Sequence, residues 1–595
     1  MERRVLLAIS LSFLVLFLYQ TFILPPPVPV APASTAAGET PALGAEGAAA
    51  TPVGTSPAPQ APAESQAEPL VADAQEREIV IDTALVRLTM TNRGGRITSW
   101  ILKEYLGEDG QPLDLVPSAL PEGRTTPFAL VTGDGVETRR LNESLYRMNV
   151  EGPAVDATTA PATIEFEFQA ADGLRATKRF VFAPDSYIIR FSAGVWRGTE
   201  AVNPSVQWGP GLGDELSRAG GGFLAGAYSY PVQAIYYTDG DIERINAKDL
   251  AGQGVQEGAF RYGGVTDHYF VSSILDPPGP VRFDYAPLSS PDPKDPLVER
   301  QFIDYTVRFS APPQDVQFYF GPKQFDVLRA IDPEFTRVIW FGIFAPLAVP
   351  LLGALTWVHG FVGNWGWSII VLTILINVAM FPLRHKSVVS MRKMQDLQPQ
   401  MKAIQARYAQ YKVTDPERQK MNTEVMALYK EKGVNPASGC LPMLLTMPVL
   451  FAFYSLLSQS IEIRGADFGG WIDDLSRHDP LYITPLLMGA SMFWQMRITP
   501  STADPTQQKV MQFMPVMFTF MFLWAPSGLV IYWFVSNLWA IGQQYFTNWL
   551  IGPMKVVSGP ELHTEKPVRP ARAPKSEKKM KSVGSGKTDE AKSSK

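Results

Sequence analysis

Cysteine is almost absent from this chain of 595 residues, in which Cys440 is the only one. A single cysteine excludes a disulfide within the chain and a cysteine-based metal site. Histidine is scarce as well: residues 79–332 contain only His268, with no clustered acid–base pair. A lone histidine is more often structural than catalytic, so this region shows no catalytic constellation. At roughly 250 residues, however, it is large enough to be held together by a hydrophobic core alone.

Aromatic residues are missing from residues 25–78, where eleven prolines accompany many alanines and glycines. Such a segment cannot bury enough apolar surface to fold, so we predict a flexible linker. Before it, residues 1–24 contain the apolar run Val5–Ile23 behind a basic start. A run of this length favours an uncleaved transmembrane anchor, because a signal peptide has a shorter core. Cleavage near Val30–Ala33 is the alternative, and the lack of a following cysteine excludes a lipoprotein.

Charge is unevenly distributed along the chain. Residues 25–335 contain 24 Lys and Arg against 41 Asp and Glu, whereas residues 384–435 and 550–595 each contain 11 basic against 5 acidic residues. An excess of Lys and Arg marks the cytoplasmic loops of a membrane protein. One acidic domain and two basic segments therefore predict a chain that faces two compartments.

Alternation of apolar and polar residues with a period of two begins near residue 79. Ile164, Phe166 and Phe168 alternate with polar residues, and turns such as Asp172-Gly173 separate the runs. This pattern is typical of half-buried antiparallel strands, and many short strands with Gly and Pro turns favour a β-sandwich. We therefore predict an extracytoplasmic antiparallel β-sandwich over residues 79–332. Sandwiches of this size often bind sugars, which leaves a membrane-anchored carbohydrate enzyme as an alternative.

The apolar run Val349–Leu383 can cross a bilayer, for which about 20 residues suffice. Thr373 and Asn377 lie within it, four residues apart and so on one face of a helix. Polar side chains in a span are costly unless they face a protein interior or a wet cavity, so we predict that both face a cavity. Upstream, Phe335–Leu347 predicts either an amphipathic helix along the membrane interface or a buried helix. We assign both features to residues 333–383.

Residues 436–549 predict four further spans, which with the anchor make six. Loop charge orients them, because the basic segments 384–435 and 550–595 belong in the cytoplasm and the acidic loop 461–480 belongs outside. Both termini are then cytoplasmic, and the β-domain lies on the outer side of the membrane. The four runs are Leu441–Ser460, Leu481–Ile498, Lys509–Trp524 and Gly528–Trp549.

Residues 384–435 predict a charged antiparallel helical hairpin, because Asp415-Pro416 interrupts residues spaced three and four apart. Its positive charge is compatible with contact to ribosomal RNA, to anionic lipid or to neither, and so is that of the basic tail. The predicted third and fifth spans are rich in methionine, which is frequent on surfaces that accept varied apolar partners. Ordinary lipid-facing packing is the alternative for these methionines.

Four stretches of the membrane half are long and specific. They are GNWGWSIIVLT at Gly363–Thr373, SGCLPMLLTMPVLFAFY at Ser438–Tyr454, DPTQQKVMQFMPVMF at Asp504–Phe518 and APSGLVIYWFVSNLW at Ala525–Trp539. These stretches resemble the YidC membrane protein insertases of the YidC/Oxa/Alb family. The β-rich region behind an anchor is similar to the long Gram-negative form of that family, which implies that the β-domain is periplasmic.

This resemblance implies a chaperone and insertase, not an enzyme, that moves nascent membrane proteins from the cytoplasm into the bacterial inner membrane through a hydrophilic groove. It implies no cofactor and no metal. The implied partners are nascent membrane proteins, the Sec translocon, the ribosome and membrane lipids. The residues matched are Thr373, Asn377, Tyr532 and Trp533 for the groove; Met447, Pro448 and Met521 for client contact; and Arg384, Lys386, Arg392, Lys393 and Asp504 for the cytoplasmic loops.

Asn377 departs from the family pattern, which carries Arg or Lys four residues after the groove threonine. An amide can hydrogen-bond to a client but cannot attract its acidic tail. The attraction would then come from Arg384 and His385 at the inner mouth, from Arg464 outside or from Arg497 near the end of a span. Because the surrounding motifs are intact, the resemblance still implies an insertase.

A polytopic transporter or channel is a further alternative, because it also tolerates polar residues within the membrane. The sequence shows no internal repeat, and Thr373 and Asn377 form the only clearly buried polar pair in the predicted spans. Both observations favour the insertase.

Overall fold

The computed structural model describes residues 69–107, 110–116, 126–209, 231–291, 299–411, 415–434, 441–499 and 505–552. The predicted anchor, most of the predicted linker, Asp504 and the basic tail beyond residue 552 lie outside the described residues.

The first half of the described chain consists of strands whose alternate side chains are buried, as the period-two pattern predicts. In Ala162–Ala170, Ile164, Phe166 and Phe168 are buried while Glu165 is exposed. The strands are β1 Pro69–Val71, β2 Glu78–Asp82, β3 Val86–Thr91, β4 Arg96–Leu106, β5 Pro112–Asp114, β6 Ala129–Val131, β7 Arg147–Met148, β8 Ala154–Asp156, β9 Ala162–Ala170, β10 Leu174–Phe182, β11 Ile188–Arg197, β12 Glu200–Val202, β13 Ser205–Trp208, β14 Gln233–Thr238, β15 Asp241–Asn246, β16 Val255–Gly258, β17 Tyr262–Thr266, β18 Phe270–Leu275, β19 Val281–Pro291, β20 Glu299–Phe309 and β21 Val316–Pro322.

Within the described residues these strands form one sheet of 11 strands and two sheets of five. The 11-stranded sheet runs β1-β9-β10-β11-β21-β18-β17-β14-β15, with β12 beside β11 and β7 beside β9. Pairing is antiparallel in the described ladders except between β2 and β8, which run parallel. Phe128 packs between two sheets, with its ring 5.1 Å from Phe180, 5.1 Å from Phe318 and 5.0 Å from Trp208. The predicted β-sandwich is confirmed.

The folded domain extends further in both directions than the predicted 79–332. Pro69 pairs with Ala170, so the predicted linker end at residue 78 is wrong. Strand β1 is held by backbone pairing while its side chains stay mostly exposed, and the apolar pattern therefore gave no signal for it. We call residues 69–338 the β-domain.

The second half of the described chain is helical. The helices are α1 Gly135–Glu143, which belongs to the β-domain together with α2 Phe325–Ile331, then α3 Ala345–Val362, α4 Trp365–Asp396, α5 Gln398–Arg407, α6 Pro416–Glu431, α7 Leu441–Gln459, α8 Ile483–Ile498, α9 Pro505–Phe522 and α10 Ser527–Ile551. We call residues 345–552 the helical half.

The predicted helix over Phe335–Leu347 is wrong as far as residue 344, because α3 begins only at Ala345. The chain instead forms a 3-10 turn at Pro333–Val338, and the buried Phe335 ring lies 4.9 Å from the Tyr262 ring and 5.4 Å from the Tyr319 ring. Because both tyrosines belong to strands, Phe335 is fixed by the β-domain.

The predicted single span Val349–Leu383 is also interrupted. Helix α3 ends at Gly363, whose φ of 72° is left-handed, and α4 starts after Asn364. The Asn364 side chain caps α4 by accepting the Trp367 N–H at 3.1 Å. An N-cap asparagine and a C-terminal glycine stop and restart a helix even within an apolar run.

Two described helical segments, Gly342–Val362 and Trp365–Asp396, are long and apolar enough to cross a membrane. In the helical half α10 packs against α4 and α8, and α3 packs against α7. Helices α5 and α6 pack on each other beside a small cluster that includes Leu397 and Tyr429. The six spans and the cytoplasmic position of the α5–α6 pair stay predictions.

The β-domain and the helical half meet at a contact that we call the seam, defined by His268, Phe325, Ser458 and Glu462. His268 Nε2 lies 2.6 Å from the Ser458 carbonyl oxygen, and the Phe325 N–H donates to Glu462 Oε1 at 3.0 Å. Burial lowers the pKa of His268 to about 3, so the ring is neutral at pH 7 and Nε2 donates. His268 therefore has a structural position between the two halves.

Candidate functional site: a polar cavity between the helices

A cavity of about 550 Å³ lies between α4, α7, α8 and α10. It is walled by apolar side chains together with a set of amides and hydroxyls. The lining residues are Ile376, Asn377, Met380, Arg384, Ser387, Val388, Met391, Thr446, Met447, Val449, Leu450, Gln495, Thr499, Tyr532, Trp533, Ser536, Asn537, Ala540, Gln543 and Gln544.

Arg384 reaches back along α4 to Asn377. Arg384 Nη1 donates to Asn377 Oδ1 at 2.7 Å, and Asn377 Nδ2 donates to the Thr373 carbonyl oxygen at 2.7 Å. Residues seven apart lie on one face two turns from each other, and helical side chains lean toward the N-terminus. The spacing and the lean together carry the guanidinium to the position beside Asn377.

Thr373 occupies the wall and does not line the cavity. It is fully buried, and its hydroxyl donates to the Ile369 carbonyl oxygen one turn earlier at 2.6 Å. The hydroxyl is thus satisfied by its own helix. Of the two residues predicted to face a cavity, Asn377 lines this one and Thr373 does not, and their function in a groove stays a prediction.

Arg384 carries the one full charge among the cavity-lining residues that the structure describes. Its surroundings are helices rich in apolar side chains, where the effective dielectric constant is far below that of water. A cation placed there acts on a ligand more strongly than a surface cation does. The cavity therefore combines one fixed positive charge with several neutral hydrogen-bonding groups.

The other cations considered as charge sources lie elsewhere. His385 Nδ1 is 3.1 Å from the Thr547 hydroxyl oxygen. The Arg464 guanidinium lies 5.0 Å from the centroid of a β-domain phenylalanine ring, and the Arg497 guanidinium lies 4.6 Å from an aromatic ring of its own helix. None of the three lines the cavity, so Arg384 is the source that the geometry selects.

Tyr532 and Trp533 both line the cavity from α10. The Tyr532 ring stacks on Phe453 of α7 at 4.4 Å with an interplanar angle of 7°. The Trp533 ring packs against Phe522 of α9 at 4.9 Å. These contacts fix the aromatic pair between three helices, so they form a rigid side of the cavity.

The three residues matched to client contact occupy different positions. Met447 lines the cavity and is 37% exposed. Pro448 lies inside α7 next to it, and Met521 packs on the core from α9, but neither lines the cavity. Helix α9 also turns large apolar side chains such as Phe513, 65% exposed, away from the protein.

The four described residues matched to the cytoplasmic loops separate into two groups. Arg384 lies in the cavity, whereas Lys386 and Lys393 are exposed on the far part of α4 and Arg392 is partly buried there. Asp504 lies outside the described residues. Arg384 thus lies in the cavity with Asn377, apart from the other residues matched to the cytoplasmic loops.

Sequence reasoning missed the polar stripe of α10. Ser536, Asn537, Gln543 and Gln544 line the cavity, and Asn537 Nδ2 donates to the Ser491 hydroxyl of α8 at 3.1 Å. Ser536 and Gln543 are seven residues apart, as are Asn537 and Gln544, so the four lie on one helix face two turns apart. That spacing within an apolar run was the signal available in the sequence.

No group of three or more His, Cys, Asp or Glu that could hold a metal ion occurs among the described residues. A cavity of amides, hydroxyls and one guanidinium, set among helices with an apolar exterior, can hold polar or acidic groups by hydrogen bonding and charge. The fold and the site together define a membrane protein that accommodates polar groups between its helices.

Comparison with known proteins identifies the family. Residues 78–354 match the family model described as the YidC periplasmic domain, and residues 357–552 match the one described as the 60Kd inner membrane protein. Three proteins called membrane protein insertase YidC are similar to nearly the whole chain. That of Geobacter metallireducens is 32% identical and covers 92% of this chain and 98% of its own length. That of Citrifermentans bemidjiense is 34% identical and covers 92% of this chain and 99% of its own length. That of Cupriavidus pinatubonensis is 36% identical and covers 89% of this chain and 91% of its own length.

The chain belongs to the YidC family of membrane protein insertases. The two family descriptions place it in the bacterial inner membrane, with the β-domain as its periplasmic domain.

Proposed function

We propose that this protein inserts nascent membrane proteins from the cytoplasm into the bacterial inner membrane, with the cavity as the place where a polar client segment is held. The observation that carries the proposal is the Arg384–Asn377 pair inside a cavity otherwise lined by neutral groups. Moving a polar segment into hydrocarbon leaves its hydrogen-bonding groups unsatisfied, which costs several kcal/mol per group. The amides and hydroxyls of the cavity supply partners at that depth.

The apolar part of a client has a separate route. Met447 is exposed at the rim of the cavity, and α9 carries exposed side chains such as Phe513, Val516 and Phe520. A hydrophobic client segment can move along these side chains into lipid while its polar tail stays in the cavity. The polar cavity and the apolar exterior thus each hold a different part of the same client.

Arg384 supplies the attraction for an acidic client tail that Asn377 cannot supply. Asn377 accepts from the guanidinium and holds it within the cavity. The charge that the family carries at the position of Asn377 is thus replaced by a charge two turns later whose head group returns to the same place. In this proposal Arg384 is the client-binding cation, and Asn377 is its positioning residue.

The decisive experiment measures insertion in cells depleted of their own insertase, using a single-span client with an acidic tail. Arg384→Gln should reduce insertion strongly, by about tenfold if one charge-assisted hydrogen bond is lost, and Arg384→Lys should retain part of it. Lys386→Gln is the matched control, because it removes a nearby cation that is exposed and does not line the cavity. Wild-type insertion by a stably expressed Arg384→Gln variant contradicts the proposal.

A charge swap separates the function of the cation from its position in the sequence. Asn377→Arg combined with Arg384→Gln should restore insertion, since it puts one guanidinium back at the cavity position that the family uses. Asn377→Leu alone should impair insertion because it removes the acceptor that holds Arg384. Asn377→Arg alone places a second cation beside Arg384, so it should be tolerated less well than the double variant.

We also infer that the chain acts alone on small clients and with the Sec translocon on larger ones, as a chaperone without enzymatic activity. The predicted cytoplasmic α5–α6 pair carries exposed Lys402 and Lys430, and α4 carries Lys393, which favours a ribosome contact on that side. We also infer that both termini lie in the cytoplasm. Co-sedimentation of detergent-solubilised protein with translating ribosomes tests this contact, with a Lys393→Glu, Lys402→Glu, Lys430→Glu variant as the comparison.

A further inference from the structure

A second cavity, of about 920 Å³, lies where the edge strand β15 meets the segment that leads into α3. One wall is charged and is formed by Asp241, Glu243, Arg244 and Arg337. The opposite wall is apolar. It consists of Ile339, Trp340, Phe341, Ala345, Pro346, Val349 and Pro350.

The two arginines are held in place by backbone carbonyl groups and, for Arg337, by an ion pair with Glu334 as well. Arg244 Nη2 donates to the carbonyl oxygens of Arg337 at 2.6 Å and Val338 at 3.1 Å. Arg337 Nη1 donates to the Gly240 carbonyl oxygen at 3.0 Å, and its Nε lies 2.7 Å from the Glu334 carboxylate. A guanidinium has five N–H donors in a planar fork, so each head group keeps further donors beyond these bonds. Burial lowers the pKa of Arg244 to about 10, which leaves it charged at neutral pH.

The apolar wall continues into side chains that water would disfavour. Trp340 is 52% exposed, Ile343 is 87% exposed and Leu347 is also exposed, all within one short segment. Tryptophan is enriched where a protein crosses from the headgroup region into hydrocarbon. Because this segment joins the periplasmic domain to α3, it lies at the outer leaflet of the inner membrane. The charged wall is then at the level of the headgroups.

The charges of the cavity match one class of headgroup. Two guanidinium groups suit a phosphate, for which arginine is the preferred partner. Asp241 and Glu243 add two carboxylates to the same wall, and Glu334, which does not line the cavity, pairs with Arg337. A purely anionic headgroup would meet these carboxylates unfavourably, whereas a zwitterionic headgroup carries an ammonium for them. The wall is therefore complementary to a phosphate joined to an amine.

We propose that this cavity binds a zwitterionic phospholipid of the outer leaflet, of the phosphatidylethanolamine class. Its phosphate lies between Arg244 and Arg337, its ammonium faces Asp241 and Glu243, and its acyl chains follow Trp340 toward α3. The bound lipid fixes the height of the β-domain over the membrane. This proposal does not depend on the function of the cavity between the helices.

The test is native mass spectrometry of the full chain released from detergent, titrated separately with phosphatidylethanolamine, phosphatidylglycerol and inorganic phosphate. The wild type should bind phosphatidylethanolamine more tightly than phosphatidylglycerol. Arg337→Gln should weaken that binding by about tenfold, the effect of one charge-assisted hydrogen bond. The control is Arg329→Gln, an exposed arginine of α2 that does not line the cavity, and it should bind as the wild type does.

Two further variants keep the result decisive. Asp241→Asn with Glu243→Gln should remove the preference for the amine headgroup while phosphatidylglycerol still binds. Trp340→Ala should weaken the binding of both lipids while leaving the charged wall unchanged. This variant replaces Arg337→Gln as the test if Arg337→Gln fails to fold. Unchanged lipid binding by both Arg337→Gln and Trp340→Ala overturns the proposal. Inorganic phosphate binding as tightly as the lipid overturns it too, since the cavity would then be a phosphate site.

Discussion

The β-domain buries its large aromatic side chains and exposes its charged ones, whereas the helical half exposes large aromatic side chains and buries polar ones. In the β-domain the large aromatic residues, such as Phe128 and Trp208, are buried, and the surface carries ion pairs such as Arg190 with Asp315. In the helical half Phe513 and Trp549 are exposed, while Asn537 is buried. The hydrophobic effect drives apolar groups inward only where the surroundings are water. The exposed aromatic side chains of the helical half therefore indicate that lipid surrounds it. Polar side chains such as Asn537 are then placed in the interior, away from that lipid.

The largest expected effect comes from removing one aromatic ring from each half. Phe128→Ala should lower the free energy of unfolding of the β-domain by about 3–5 kcal/mol, because it leaves a cavity among four packed rings. Phe513→Ala removes the same atoms from an exposed position, so it should change stability in detergent little. Denaturant titration followed by near-ultraviolet circular dichroism compares the two variants. Equal losses of stability in the two variants would contradict this difference between the β-domain and the helical half.

The next effect concerns pH at the seam. Burial, with smaller contributions from Lys323 and Arg464, lowers the pKa of His268 to about 3, against an ordinary value near 6.5. The unfolded chain therefore takes up a proton first as the pH falls. The stability contributed by the neutral ring is complete above about pH 6.5 and is lost toward pH 3. Between pH 7 and pH 5 this amounts to about 2 kcal/mol.

The measurement is thermal unfolding of the full chain at pH 7 and pH 5, for the wild type and for His268→Gln. Glutamine can still donate to the Ser458 carbonyl oxygen but does not titrate. Glu462 at the same seam has a pKa raised by burial, so its contribution changes in the opposite direction and is common to both proteins. The wild type should lose more stability at pH 5 than the variant, and equal losses would show that His268 is not responsible.

The smallest expected effect is that of the β-domain on insertion itself. The domain contributes no residue to the cavity between the helices, so a chain lacking it should still insert a small single-span client. A deletion of residues 79–305 alone would leave Phe318 and Phe335 behind without ring partners such as Phe128 and Tyr262. Deleting residues 69–338 removes the whole domain. Loss of insertion by that stable, correctly oriented chain would show that the domain takes part directly.

Much of the fold could be predicted because its signals are local. Ile164, Phe166 and Phe168 alternate with polar neighbours, and their burial follows directly from a period of two. The break after α3 was missed because Gly363 and Asn364 interrupt an apolar run without adding any charge. The sequence predicts an interfacial or a buried helix around Phe335, because its partners Tyr262 and Tyr319 are close to it only in the folded chain.

The candidate site was predicted in outline and not in detail. Asn377 was found because an amide in an apolar run is costly, whereas Thr373 proved to be satisfied by its own helix. The sequence left four possible sources of positive charge and could not choose among them. The spacing of seven residues puts Arg384 on the same helix face as Asn377. Only the structure shows that its side chain turns back to that acceptor and into the cavity.

The Arg384–Asn377 hydrogen bond joins two positions that are seven residues apart in the chain. A position-by-position reading of the sequence treats residues 377 and 384 as independent, yet their side chains form one hydrogen-bonded unit in the cavity. A substitution at either position therefore changes the surroundings of both, and the charge of this cavity is a property of the enclosed volume and not of one position in the sequence.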